Sequence, residues 1–368
     1  GITWISLIFI PMKTRYYLLA AALSCGLAAC QSPAADEPAA TAADGPDLIG
    51  YHDFSDSPAE QLSGGARMIP ITTPVGDFRV WTKRVGNNPD IKVLLLHGGP
   101  GANHAYFECF DSYFPGAGIE YYYYDQLGSR LSDVPTDTSL WTIDRFVDEV
   151  EQVRQALGLE KDNFYILGHS WGGILGVEYA LKHQGKMNGL IISNMMMSVP
   201  DYNKYADEVL GPKLNPDTLA AIQAYEAAED YTNPGYIITI VDNFYPEHVL
   251  RMPLKEWPEP VNRGFDKLNQ QIYVGMQGPS EFGIRGNASL RNWDRTPDLN
   301  KITIPVLTIG GEYDTMDPEH MRRIAEDFPN GSHLHCPEGS HMSFYDDQQT
   351  YFTGLIEWLR KTEAGGGR

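Results

Sequence analysis

Residues 163–172 read Asn163-Phe164-Tyr165-Ile166-Leu167-Gly168-His169-Ser170-Trp171-Gly172, and this stretch decides the fold. Phe164 to Leu167 lies in a short apolar run of the kind buried inside a parallel sheet. Gly172 to His183 then reads as helix, so Ser170 stands in G-x-S-x-G on a strand-to-helix turn, the pattern of a nucleophile elbow. The flanking glycines fit a strained turn whose helix packs close against the strand. A serine exposed at the top of a sheet in this way is a candidate nucleophile.

Working outward, the same strand and helix alternation recurs. Ile91 to Leu96 (IKVLLL), Ile119 to Tyr124 (IEYYYY), Gly189 to Ser193 (GLIIS) and Ile304 to Ile309 (IPVLTI) are further buried-strand runs. Ile69 to Thr73 and Phe78 to Arg84 read as two strands around the turn Pro74-Val75-Gly76-Asp77. Ile143 to Leu157 carries apolar residues at 143, 146, 147, 150, 153 and 157, which is helical spacing. The pattern predicts an α/β fold with a mostly parallel central sheet. Residues 199–293 break it: they are rich in Tyr, Asn and Pro, with helical segments such as Pro216 to Asp230. That is far too much chain for a loop, so a helical cap inserted over the C-terminal edge of the sheet is expected, where open α/β folds bind ligands. The core is then 48–198 and 294–362.

A nucleophilic serine needs an oxyanion hole. The strand ending at Leu96 runs into His97-Gly98-Gly99-Pro100-Gly101, a loop able to aim bare amides into a cavity, with Gly99 and Trp171 as the donors. A phosphate cradle is set aside, because neither glycine-rich phosphate pattern is present and the chain is acidic. The acid and histidine should follow in that order. After Ile304 to Ile309 come Asp314 and Asp317. Asp317 precedes Pro318 and a helical stretch, so it reads as an N-cap, which leaves Asp314 as the acid. His341, just after a strand containing His333 and His335, is the candidate base. His97 and His169 flank the site as structural histidines. His333, His335 and Cys336 lack a further ligand at zinc-like spacing, so no metal is expected.

HGGPG at 97–101, YDQLGS at 124–129, GHSWGG at 168–173, GEYD at 311–314 and GSH at 339–341 occur in one order. Together, over about Met68 to Leu359, they resemble the proline iminopeptidase family of α/β-hydrolases, especially its tricorn-associated aminopeptidase branch. The resemblance implies an α/β-hydrolase fold and release of an N-terminal residue, proline or small apolar, from short peptides through an acyl-enzyme on Ser170, Asp314 and His341. It implies no cofactor. It also implies that Glu281, in Gln277-Gly278-Pro279-Ser280-Glu281-Phe282, binds the free amine of a small peptide or amide substrate. A second family glutamate directly after the triad Asp is Thr315 here. An amidase, esterase or lactonase with no free-amine requirement is therefore the alternative, and a non-catalytic binding protein the remote one.

The chain has 368 residues, 42% hydrophobic and 21% charged, which supplies a large core and excludes a disordered polyelectrolyte. Its 28 basic against 48 acidic residues give a net charge of -20, which repels phosphate backbones, so no nucleic-acid partner is expected. Met12, Lys13 and Arg15 open a short basic region, followed by a mostly apolar stretch to Leu27-Ala28-Ala29-Cys30. Residues 1–30 thus have the proportions of a signal segment and resemble a bacterial lipoprotein signal, with Cys30 as the lipidated residue. Residues 31–47 have almost no large apolar side chains and read as a disordered tether. The expectation is an exported lipoprotein, facing the periplasm or on the outer membrane and touching the membrane only through its anchor. In an oxidising compartment Cys109 and Cys336 either pair or remain two free thiols.

Overall fold

The computed structural model describes residues 48–366. The signal segment, Cys30 and the tether 31–47 lie outside the described residues. Among the described residues no helix is long and apolar enough to cross a membrane.

One sheet of eight strands organises the chain: β1 (Ala66–Thr73), β2 (Gly76–Val85), β3 (Lys92–Leu96), β4 (Glu120–Asp125), β5 (Phe164–His169), β6 (Gly189–Ser193), β7 (Val306–Gly311) and β8 (Gly331–Cys336). Their spatial order is β1-β2-β4-β3-β5-β6-β7-β8. The β1–β2 and β2–β4 pairs are antiparallel, and every pair from β4 to β8 is parallel. The expected α/β-hydrolase architecture is therefore what the chain adopts. Alternate residues of the central strands feed two cores: Leu94, Leu96, Ile166, Leu190 and Ile192 pack on one face, and Val93, Leu95, Leu167 and Ile191 on the other. Burial on both faces is why these strands read as unbroken apolar runs.

Strand order reverses around β3, which lies between β4 and β5, and Leu96 pairs with Gly168. The loops leaving β3 and β5 therefore diverge at a topological switch point, where open parallel sheets form a crevice. Helix Ile143–Ala156 begins at Thr142, whose hydroxyl accepts from the Arg145 N–H, and buries Phe146, Val147, Val150 and Val153.

Between β6 and β7 the chain is helical, with helices at Val199–Tyr205, Pro216–Ala227, Pro234–Asn243, Glu259–Asp266 and Gln270–Met276 among its segments. Entry and exit are pinned together. The Val199 N–H donates to Trp293 O and the Arg295 N–H to Met197 O, both at 2.8 Å, and Ser198 bridges Asp294. Glu178, on helix Trp171–His183, accepts from the Trp293 indole at 2.6 Å and from Arg295 at 2.7 Å. Cys109 and Cys336 are free thiols.

Candidate active site

β5 ends at His169, and Ser170 turns the chain into helix Trp171–His183 with φ 55° and ψ −126°. A non-glycine residue in that region is strained, and the strain persists only where the surroundings fix it. Here the backbone fixes it: the Ser170 N–H donates to Ser193 O at 3.0 Å, and the Gly173 N–H donates to Ser170 O at 2.7 Å. A Cβ at Gly168 would meet Gly172 O at 2.0 Å, and one at Gly172 would meet Leu96 O at 2.0 Å. Both glycines of the motif are thus required by close backbone approach.

The loop after β3 is held from beneath. His97 is fully buried and accepts from the Gln126 N–H at Nε2, 3.1 Å away, so its Nδ1–H donates to Gly98 O at 2.9 Å. Burial lowers its pKa to about 4, which keeps the ring neutral. The Gln126 side chain donates to His97 O and accepts from the Trp171 indole, each at 2.9 Å. The YDQLGS segment therefore ties the two glycine loops to each other. The Gly98 N–H donates to the Tyr106 hydroxyl, which leaves Gly99, at φ 110°, as the next amide along the loop. Trp171 opens its helix, so its N–H is a first-turn donor without an intrahelical acceptor.

His169 borders the cavity as a buried structural histidine with both ring nitrogens partnered. Its Nε2–H donates to His341 O at 2.8 Å, and its Nδ1 accepts from Tyr106 at 3.1 Å. Burial, and secondarily His341, depress its pKa well below the usual value, so it too is neutral. Tyr106 thereby links the glycine loop to the loop carrying His341.

His341 Nδ1 lies 2.8 Å from Asp314 Oδ1, which leaves Nε2 as the bare ring nitrogen. Asp314 is fully buried. Its Oδ1 also accepts from the Met316 N–H at 3.1 Å, and Thr315 Oγ1 sits 3.2 Å from both Oδ1 and His341 Nδ1. Burial works against the imidazolium, but the charge and hydrogen bond of Asp314, with Glu281 behind them, raise the His341 pKa above the ordinary value. Asp317 does something else: it caps helix Pro318–Asp327 by accepting from the Glu319 N–H at 3.0 Å. His333 pairs with Thr308 and His335 lies 3.4 Å from Glu312.

Glu281 is 6% exposed, not a solvated surface residue. Three tyrosines hold it: Tyr273 donates to Oε1 at 2.6 Å, Tyr202 donates to its carbonyl at 2.6 Å, and its own N–H donates to the Tyr245 hydroxyl at 3.1 Å. Oε2 is 3.9 Å from His341 Nε2. Burial raises its pKa, while His341 and Tyr273 pull the other way. Gly98, Gly99, Ser170, His341 and Glu281 share one cavity of about 30 Å³, whose apolar walls include Tyr106, Val249, Phe265, Leu268 and Met342. Sequence reasoning did not find Tyr106, Gln126 or the three tyrosines. Only the hydroxyl-rich composition of 199–293 hinted at the tyrosines.

A model of the alpha/beta hydrolase fold family matches residues 92–348. The chain is 56% identical over 292 residues to a proline iminopeptidase of Flavobacterium johnsoniae, spanning 79% of this chain and 97% of that one. It is 53% identical to a proline iminopeptidase of Elizabethkingia meningoseptica, spanning 81% and 99%. Among solved structures, a proline iminopeptidase of Mycobacterium smegmatis superposes with a TM-score of 0.71 at 28% identity, covering 82% of this chain and 99% of that one. VinJ superposes at 0.73 with 25% identity, covering 80% and 99%.

Proposed function

Because the chain belongs to the proline iminopeptidase family of α/β-hydrolases, we propose that it is a serine aminopeptidase releasing an N-terminal proline or small apolar residue from short peptides. The observation that carries this reading is the shared cavity. A nucleophile, a base and a buried carboxylate line about 30 Å³ of otherwise apolar space, against the ~10–15 Å³ that one water requires. The space is small and largely walled by apolar groups, and a cationic amine buried in it needs a partner charge.

In the proposed mechanism Glu281 receives the substrate's ammonium, and Ser170 Oγ attacks the carbonyl carbon of that first residue. His341 Nε2 takes the Ser170 proton as the new C–O bond forms, while Asp314 keeps the imidazole oriented through Nδ1. The N–H groups of Gly99 and Trp171 stabilise the oxyanion. The C–N bond then breaks, and His341 returns the proton to the leaving amine. Water, deprotonated by the same Nε2, attacks the acyl-enzyme; the Ser170–acyl bond breaks, the free amino acid leaves and the serine regains its proton. No step calls on a cofactor.

The test compares prolyl and alanyl chromogenic amides with their N-acetylated forms and with simple acyl esters. Turnover of free-amine amides well above that of the N-acetylated amides and of the esters is expected. Equal turnover of N-acetylated amides or esters would move the assignment to a general amidase or esterase of the same fold.

For the N-terminal region, the proposal is a lipoprotein anchored at Cys30, with 31–47 spacing the catalytic domain from the bilayer. A short basic region, a small apolar stretch and Leu27-Ala28-Ala29-Cys30 support it. A single acyl chain holds a protein only marginally, so stable anchoring needs more than one chain on that cysteine.

A further inference from the structure

The mechanism above leaves one buried residue of the site without a role. Asn194 directly follows β6, is fully buried, and has φ 56°. Asparagine is among the few residues that tolerate the left-handed region, but glycine occupies it with no side-chain penalty. An asparagine held there is therefore explained by what its side chain does.

Its Nδ2 lies 2.7 Å from Asp314 Oδ2, 3.1 Å from Ser340 O and 3.1 Å from Ser343 Oγ. Its Oδ1 accepts from the Ser193 hydroxyl at 2.7 Å, and Ser193 Oγ is in turn 2.9 Å from the Tyr351 hydroxyl. This chain of donors sets the amide orientation, because the oxygen faces a hydroxyl and the nitrogen faces acceptors. Its backbone N–H donates to Ile309 O at 2.8 Å, so the side chain rises from a point fixed by the sheet.

We propose that Asn194 is a positioning residue of the triad: its neutral amide holds Asp314 Oδ2, so that Oδ1 faces His341 Nδ1, and ties the acid to Ser340, next to the histidine. The proposal rests on reading Asp314 as the triad acid. A carboxylate with no exposed surface needs a donor at each oxygen. Oδ1 has His341 and the Met316 N–H, and Oδ2 has Asn194. The donor must be uncharged, because a cation at Oδ2 would compete with the imidazolium for the same charge.

Two variants test this. Asn194→Gly relaxes the backbone and removes only the amide. It is expected to stay folded by near-ultraviolet circular dichroism, to lower kcat on the order of 10- to 100-fold, the usual worth of a charged hydrogen bond, and to leave KM within about twofold. Asn194→Asp keeps the shape but sets a second carboxyl against Asp314. The groups facing it are Asp314, His341 behind that, and Tyr351 through Ser193; Cys336 and Asp346 share the electrostatic surroundings of Asp314. Two carboxyls in contact share one proton. While that proton is bound, the new carboxyl donates to Asp314. When it leaves, the two repel. The kcat profile of Asn194→Asp is thus expected to gain a falling alkaline limb absent from the wild type and from Asn194→Gly, which a merely structural role would not create.

Wild-type kcat in folded Asn194→Gly, or a pH profile of Asn194→Asp parallel to the wild type, overturns the proposal. So does loss of activity only through unfolding in both variants. Asp314→Asn run alongside separates the premises. Full activity there removes the acid assignment itself, whereas an inactive Asp314→Asn beside an unimpaired Asn194→Gly removes only the positioning role.

Discussion

Ser170 and Glu281 face one cavity and are held there by different means. Ser170 is fixed by backbone: strand register on both sides, two backbone hydrogen bonds and glycines with no room for a Cβ. Glu281 is fixed by hydroxyls reaching in from Tyr202, Tyr245 and Tyr273, three side chains distant from one another in sequence. The first kind of support fails all at once, because main chain cannot be repacked locally. The second can lose a member and keep the rest. The sheet wall is accordingly expected to govern bond breaking for every substrate, and the inserted wall to govern which substrates are accepted.

The largest expected effect lies on the sheet side. Ser170→Ala should keep the fold and lower kcat on the order of 10⁶-fold, equally for peptides and esters, and His341→Ala should match it because such residues act as a unit. Activity surviving for one substrate class would break the comparison. Asp314→Asn is expected to cost on the order of 10⁴-fold through loss of the correct imidazole tautomer. Asp317→Asn should leave kcat unchanged, since asparagine caps a helix about as well as aspartate. Equal impairment of the two in steady-state assays would exchange their roles.

On the inserted side, Glu281→Gln should reduce kcat/KM for free-amine substrates by about 1.5–3 kcal/mol, the worth of a charge-assisted hydrogen bond, and hardly touch esters. A pH profile sharpens the contrast. His341 must be neutral to accept a proton, and its pKa is raised, so activity should fall as pH drops through a value above 6.5. Glu281 is one of the charges that raise it, so with an ester substrate the Glu281→Gln limb should shift to lower pH. An unmoved limb would mean the two walls do not communicate electrostatically. The smallest effect on chemistry belongs to Cys30→Ser: turnover unchanged, with incorporation of labelled fatty acid lost in a bacterial host. Absence of label in the wild type would end the anchor proposal.

How much of this was legible follows the same division. Parallel strands buried on both faces leave apolar runs, so Gly189 to Ser193 was read to the residue. At Ile304 to Ile309 the expected start was early: the strand begins at Val306, after Pro305, which has no N–H to give a ladder. Asp317 was recognisable as a cap because Asp-Pro at a helix start is a local signal. Glu281 came through resemblance, since no local pattern distinguishes a buried amine partner from a solvated glutamate. Asn194 was invisible, because its only marks are a backbone angle and partners in segments far along the chain. The tyrosines around Glu281 show in the sequence only as the Tyr-rich character of 199–293, because nothing local says which of them turn inward to it.

The pinned pair at Met197–Val199 and Trp293–Arg295 has a consequence for heredity. Everything between leaves and returns through one doorway, already closed by main-chain hydrogen bonds and by Glu178 beneath it. Closing a flexible segment across fixed ends costs only about 0.6 kcal/mol more for each doubling of its length, so the doorway sets little limit on what hangs from it. Residues 199–293 do not hang from the doorway alone, however: the His341 and Met342 N–H groups donate to His248 O and Val249 O, each at 3.0 Å. The choice of cloth is thus riveted to one blade of the scissors, and a graft of this segment between relatives is expected to carry substrate preference only where those two main-chain bonds are re-formed.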